Sequence, residues 1–209
     1  MSGVAITVVV ATYRPLGAVL PLRGLCAQTV KNFDVVLVTE IGSAAWGNDE
    51  SYLKPFEVKV VDALALNFHA PTRALNLGVD KATGDAVALL TDYAFPNPDW
   101  LEQLTSGLYT SNAGLVEGSK CPHGTSDPRT CTPPHQCNRK LLPVGDLPEL
   151  SVVWPCQRVA TLGNTMVRRA HLQAVNGFEE RFAGDHGYED ENFARRIIAH
   201  SKRPTVLSR

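Results

Sequence analysis

Short apolar runs alternate along this chain with longer stretches in which apolar residues recur every three or four positions. Ile6-Thr7-Val8-Val9-Val10, Val35-Val36-Leu37-Val38, Val58-Lys59-Val60-Val61 and Ala86-Val87-Ala88-Leu89-Leu90 are short and rich in β-branched residues. They predict four buried strands. Residues 16–28 predict a helix with Leu20, Leu25 and Cys26 inward and Pro21 near its start, where proline is tolerated. Thr72 to Ala82 predicts a second helix, closed by Thr83-Gly84. Continuous apolar strands separated by helices predict an α/β fold, a mostly parallel central sheet with helices on both faces. Such sheets bind ligands beyond the carboxyl ends of their strands. Thr12-Tyr13-Arg14, Thr39-Glu40 and Thr91-Asp92-Tyr93 then surround one crevice.

The pattern breaks in the second half. Residues 118–158 hold seven of the fourteen prolines and four of the five cysteines, which predicts an irregular Cys/Pro-rich insertion with sparse regular structure. A loop of that length is usually functional or tied down. Regular pattern returns at Leu162–Arg168 and in a closing helix, Asp190–His200, with Phe193, Ala194 and Ile197 on one face. The 209 residues fit a single domain, 1–209. With 44% hydrophobic and 20% charged residues and a net charge of −1, no global field draws the chain to nucleic acid or anionic membrane. No apolar run reaches a membrane-spanning length. Val4–Ala11 lacks the basic region and cleavage site of a signal peptide and reads as a strand. The expectation is a cytoplasmic protein whose cysteines are reduced thiols or metal ligands.

Three groups of residues carry candidate chemistry. Glu189-Asp190-Glu191 opens the closing helix after the glycine-rich Ala183-Gly184-Asp185-His186-Gly187. A carboxylate at a cleft's lip is the simplest general base for an alcohol. The same triplet also complements a helix N-terminus, so capping alone would explain it. Asp92 follows the fourth strand directly, where a carboxylate can hold a divalent cation bridging two phosphates, or simply begin a turn. Cys121, His123, Cys131, His135, Cys137 and Cys156 match no standard finger spacing, yet their number suits one structural zinc. Buried thiols or a disulfide are the alternatives. The best four zinc ligands are Cys121, Cys131, Cys137 and Cys156. Cys26 is expected in the core.

The order of segments resembles the family 2 inverting glycosyltransferases, which have the nucleotide-sugar-binding GT-A fold. Val8 to Pro15 is similar to that family's first strand and turn, and Ala27-Gln28-Thr29 with Phe33 to Val38 to its helix-to-second-strand join. Thr72-Arg73-Ala74-Leu75-Asn76-Leu77-Gly78, Ala82-Thr83-Gly84-Asp85 and Leu89-Leu90-Thr91-Asp92 resemble its most recognisable block. Asn164 to Arg169, Gly177-Phe178-Glu179-Glu180 and Gly187-Tyr188-Glu189-Asp190 resemble its acceptor-side block.

This resemblance implies a nucleotide-sugar-binding half, 1–110, and an acceptor half, 111–209, carrying the insertion 118–158. It implies Asp190 as catalytic base with Glu189 beside it, Glu40 at the nucleobase and Arg73 near the diphosphate. Thr12, Tyr13, Arg14, Asn76, Thr91, Asp92 and Tyr93 fall in the donor-binding blocks. The family's paired metal aspartates align with Thr91 and Tyr93, leaving Asp92 as the one carboxylate for Mn2+ or Mg2+; His186 could add to it. Arg168 or Arg169 could join Arg73 in absorbing charge on the leaving diphosphate. Glu189 and Glu191 would raise the Asp190 pKa as like charges. The implied donor is a nucleotide-diphosphate sugar; the acceptor hydroxyl could sit on a glycan, lipid, protein or nucleic acid. Two alternatives stay open. One is a nucleotide-sugar-binding protein with a degenerate metal motif. The other is a transferase reaching a nucleic-acid acceptor through a zinc-stabilised insertion, for which the five basic and three acidic residues of 118–158 give thin support.

Overall fold

Apolar β-branched runs form the centre of one sheet. The computed structural model describes residues 3–47, 50–63, 71–92, 94–118, 141–144, 147–153, 163–182 and 188–208. The strands are β1 (Ile6–Thr12), β2 (Phe33–Thr39), β3 (Glu57–Asp62), β4 (Ala86–Thr91), β5 (Leu115–Gly118), β6 (Leu141–Val144), β7 (Leu147–Val153), β8 (Asn164–Arg168) and β9 (Thr205–Ser208). The helices are α1 (Val19–Cys26), α2 (Pro71–Lys81), α3 (Trp100–Thr110), α4 (Arg169–Ala174) and α5 (Glu189–Ser201).

Among the described residues the sheet has nine strands in the order β3-β2-β1-β4-β8-β5-β9-β7-β6. The first four are parallel. β8 is antiparallel to both β4 and β5, and β9 is again parallel to β5. Only β8 and β7 run against the rest, so the sheet is mostly parallel, as the apolar runs predict. Sparse structure was expected throughout 118–158. In fact β6 and β7 pair as an antiparallel hairpin, and β7 joins the sheet edge through β9. Leu141-Leu142 and Ser151-Val152-Val153 supply the strand-forming residues there.

Side chains alternate between two cores. Ile6, Val8 and Val10 of β1 face α1 and α3, with Leu22, Leu25, Leu101 and Leu104 among the residues that cover them. Val9, Val36, Val87, Leu115 and Val167 face the opposite layer of α2, α4 and α5. Phe193 of α5 lies 4.2 Å, centroid to centroid, from Phe178 in that layer. The expected inward face of α1 is corrected in one respect. Leu20 is exposed, whereas Pro21, Leu22 and Leu25 are buried. The helix begins at Val19, later than the pattern suggests, because Leu16 and Ala18 donate their amides to Ala44 and Ala45. That changes which residues start the turn and which face they present. Cys26 is half-buried, and burial pushes its thiol pKa up.

Candidate active site

The four parallel strands end level. Thr12 is in register with Thr39, Thr39 with Asp62, and Ala11 with Thr91. Their carboxyl ends therefore share one rim, where Thr12, Thr39, Glu40, Thr91 and Asp92 gather. Asp62, the last residue of β3, belongs to this rim too; the expected burial of Val58-Lys59-Val60-Val61 is corrected, because β3 is an edge strand with Lys59 and Val60 exposed and Val58 and Val61 half-buried.

Asp92 is organised by the turn after β1. Thr12, fully buried, donates its hydroxyl to Asp92 Oδ2 at 3.0 Å, and the Arg14 amide donates to the same hydroxyl at 3.2 Å. Arg14 Nε lies 3.6 Å from Asp92 Oδ2, and the Asp92 side chain is only 8% exposed. Gly17 allows this close turn, since a Cβ there would collide with Thr12 Oγ1. The Arg14 guanidinium also lies 5.3 Å from the Tyr13 ring centroid, on an exposed face. Thr91 accepts a close approach by Gly163, whose carbonyl receives the Thr91 amide at 3.2 Å. Tyr93 lies outside the described residues.

Among the described residues no group of three His, Cys, Asp or Glu side chains could hold a metal. The donor set still fits one kind of cation. Magnesium, and manganese with similar oxygen ligands, is commonly held by one or two carboxylates plus substrate phosphates. Both protein contacts to Asp92 fall on Oδ2. Cys121, Cys131, Cys137, Cys156, His123, His135 and His186 all lie outside the described residues.

Asn76 is turned away from such a role. Its amide nitrogen donates to the Phe178 carbonyl at 2.9 Å, and its Oδ1 accepts from the Phe178 amide at 2.7 Å. Gly177, at φ +63°, makes the turn that permits this clamp. Asn76→Ala is expected to lower stability by about 1–3 kcal/mol, the cost of unpairing buried backbone groups. Nucleotide affinity measured on the folded fraction should stay within about twofold if the amide acts only as a clamp.

Arg73 sits at the start of α2, exposed, with Nε 3.5 Å from Glu180 Oε2. Arg168 and Arg169 are placed elsewhere, and their suggested part in diphosphate binding is corrected. Arg168 is in register with Ala86, the first residue of β4, so it lies at the opposite end of the sheet from Thr91. Five residues of strand, roughly 17 Å, separate the two levels. There Arg168 packs 4.4 Å from the Tyr109 ring and Arg169 donates to the Gly84 carbonyl at 2.7 Å.

Asp190 occupies the first turn of α5. Tyr188, with left-handed backbone at φ +69°, turns the chain into the helix and leaves its own ring exposed. Asp190 is half-buried, and its Oδ1 accepts the Glu191 amide at 2.7 Å. Burial is the main cause raising its pKa; the Glu191 amide opposes this, and Glu189 and Glu117 add to it as like charges. The expected like-charge effect is thus present but secondary. Glu191, expected to act alongside Glu189, pairs its carboxylate with Arg195 at 2.5 Å one turn on.

Comparison with known proteins agrees with this architecture. Residues 147–207 match the family described as the N-terminal domain of galactosyltransferase. No protein of curated function matches the chain in sequence. Among solved structures, Staphylococcus aureus TarS 1–349 superposes with a TM-score of 0.70 at 18% identity, over 97% of this chain and 57% of that one. The TarS complex with UDP-GlcNAc gives 0.70 at 17% identity, over 97% and 55%. Mannosyltransferase PcManGT from Pyrobaculum calidifontis, in complex with GDP-Man and Mn2+, gives 0.67 at 18% identity, over 99% and 55%. This chain spans little more than half of each. No helix of the described residues is long and apolar enough to cross a membrane. The chain has a GT-A-like glycosyltransferase fold.

Proposed function

We propose that the chain transfers a sugar from a nucleotide-diphosphate donor to an acceptor hydroxyl, with inversion at the anomeric carbon. The observation that carries this is the half-buried Asp190 carboxyl at the start of α5, raised by burial, at the same end of the sheet as the Asp92 rim. A base needs a pKa near the working pH, and burial moves a carboxylate in that direction.

Asp190 would accept the proton of the acceptor hydroxyl as its oxygen attacks the anomeric carbon. The bond from that carbon to the diphosphate oxygen breaks, and the electron pair leaves with the nucleoside diphosphate. Attack opposite the leaving group inverts the centre. Arg14 and Arg73 are the cationic side chains placed to meet the growing phosphate charge. Asp92 is the residue that would hold a magnesium or manganese ion bound to the donor. Such an ion would supply charge neutralisation on the diphosphate. Glu40 and Asp62 bound the rim on the side of β2 and β3, where the nucleoside would lie. The ligands in the solved neighbours, UDP, UDP-GlcNAc and GDP-Man, support a nucleotide-sugar donor.

A thermal-shift panel of nucleotide sugars, with and without manganese, tests this reading. One donor class should raise the melting temperature, since a ligand bound only to the folded state stabilises it. Release of free nucleotide with an acceptor mixture should follow. Binding without any release under every acceptor condition would favour the degenerate binding protein. No shift with any nucleotide sugar would overturn the proposal. The zinc expectation for the insertion has its own check: elemental analysis of chelator-free protein should give about one zinc per chain.

A further inference from the structure

Glu117 is the one acidic residue of a buried strand, Leu115-Val116-Glu117-Gly118, and it is only 2% exposed. Buried carboxylates are rare unless paired or hydrogen-bonded, and Glu117 does have partners in the fold. The register shows where this one points. Glu117 is opposite Thr165, and Thr165 opposite Leu89. Directly opposed residues on neighbouring strands share a face. One pair back, Leu115, Val167 and Val87 share that face and pack against Phe193 and Ile197 of α5. Glu117 therefore points into the α5 layer, one pair nearer the crevice than those apolar residues. α5 runs from the crevice end toward His200, which meets His171 of α4 at the far end. The first turn of α5, with Asp190, lies over Glu117. Thr165 stands beside them, fully buried, and among the described residues its hydroxyl has no hydrogen-bond partner.

We propose that Glu117 is a positioning residue of the acceptor face, forming with Asp190 a coupled carboxyl pair: Glu117 buried in the sheet, Asp190 above it at the lip. This rests on the reading of Asp190 as base. Negative charge on Glu117 opposes ionisation of Asp190, so Asp190 holds a transferred proton more firmly than a lone surface aspartate would. The helix N-terminus works the other way, stabilising the Asp190 carboxylate through the Glu191 amide. Thr165 gives the pair a buried polar neighbour. Among the described residues, the other charges near this turn sit as follows. Glu189 is adjacent on α5, and Glu191 is held by Arg195. In the segment after α4, Glu179 pairs with Arg181 and Glu180 with Arg73 of α2. Arg196 is bound to the Val175 and Gly177 carbonyls. On α4, His171 sits at the far end of α5 beside His200.

The test is a carboxyl titration that needs no substrate. Protein labelled with 13C at aspartate side chains is titrated by NMR, with the Asp190 signal assigned by its loss in D190N. In Glu117→Gln, which keeps a carbonyl acceptor for the partners Glu117 has in the fold, the Asp190 midpoint should move to measurably lower pH. Where transfer can be assayed, the acid limb of kcat/KM should move with it, while nucleotide affinity stays unchanged. An unmoved midpoint in a folded E117Q protein overturns the pairing. Should E117Q fail to fold, Glu117→Asp decides. It withdraws the charge by one methylene and should shift the midpoint in the same direction by less; no shift overturns the pairing. Failure of the base reading is seen separately, as near-normal transfer by D190N.

Discussion

Asp190→Asn is expected to cut sugar transfer by about a hundredfold or more, with nucleotide affinity kept within about twofold. Asparagine matches the shape of aspartate but cannot take up the hydroxyl proton. The Glu191 amide can still donate to the asparagine Oδ1, so the start of α5 should survive. The same variant carries a stability signature. Burial raises the folded-state pKa of Asp190 above its unfolded value. The folded protein therefore binds the proton more tightly than the unfolded chain. At low pH, with the group protonated in both states, the charge costs nothing. As pH rises through the unfolded and then the folded value, the half-buried charge costs stability. Asparagine mimics the neutral form, so D190N should melt at or above wild type at neutral pH. That advantage should be present above the raised folded value and vanish as pH falls below the ordinary aspartate range. Melting curves across pH, beside transfer assays, check both halves. A variant that is inactive because it is less stable at neutral pH would mean that the residue is structural. Near-normal transfer would remove Asp190 from the chemistry altogether.

The helix layers and the four parallel strands were legible because their apolar runs are period-matched. Val9, Val36 and Leu89 have no polar neighbour that could place them at a surface. Where apolar residues fill both faces of a strand, as in β1, β2 and β4, burial on both sides is the only stable outcome; β3, broken by Lys59, lies at the sheet edge with Val60 exposed. The strand-end rim followed from the same logic, and Thr12, Glu40 and Asp92 do stand there. The pairing partners were not legible. β8 reverses direction between β4 and β5, and nothing local in Asn164–Arg168 encodes that reversal. This is why Arg168 and Arg169, the last two residues of an acceptor-side block, end at the wrong end of the sheet for a diphosphate. Glu117 was missed for a related reason. A single acid in a four-residue strand looks like a surface position until the register shows the face it shares with Leu115. Leu20 misled because the α1 pattern was phased from residue 16, whereas the chain enters the helix only after the turn that holds Thr12 and Arg14.

Asp92→Asn should weaken nucleotide-diphosphate binding by roughly tenfold or more, and remove any response of donor binding to manganese or magnesium. Asparagine is the informative choice because Asp92 has two tasks. It accepts the buried Thr12 hydroxyl, and it carries the charge beside Arg14. Alanine would abolish both and leave the Thr12 hydroxyl buried without an acceptor, at a cost of about 1–3 kcal/mol. Asparagine keeps an oxygen for Thr12, so the fold and the turn should survive and only the charge is lost. Two mechanisms then separate. If Asp92 holds a diphosphate-bound cation, chelator weakens donor binding in the wild type and has no further effect on D92N. If Asp92 instead aims Arg14 at the phosphates, chelator has no effect on either protein. In that case Arg14→Gln should reproduce the D92N loss, and the double variant should be no worse than either single one, because the two would act as one unit. The pair is half-exposed on the arginine side, so its attraction alone contributes little to stability. A loss of donor binding in D92N would therefore report on ligand recognition, not on a weakened fold. Unchanged donor affinity in D92N, at both low and high cation concentration, would exclude Asp92 from the donor site and leave Arg73 as the leading group for the diphosphate.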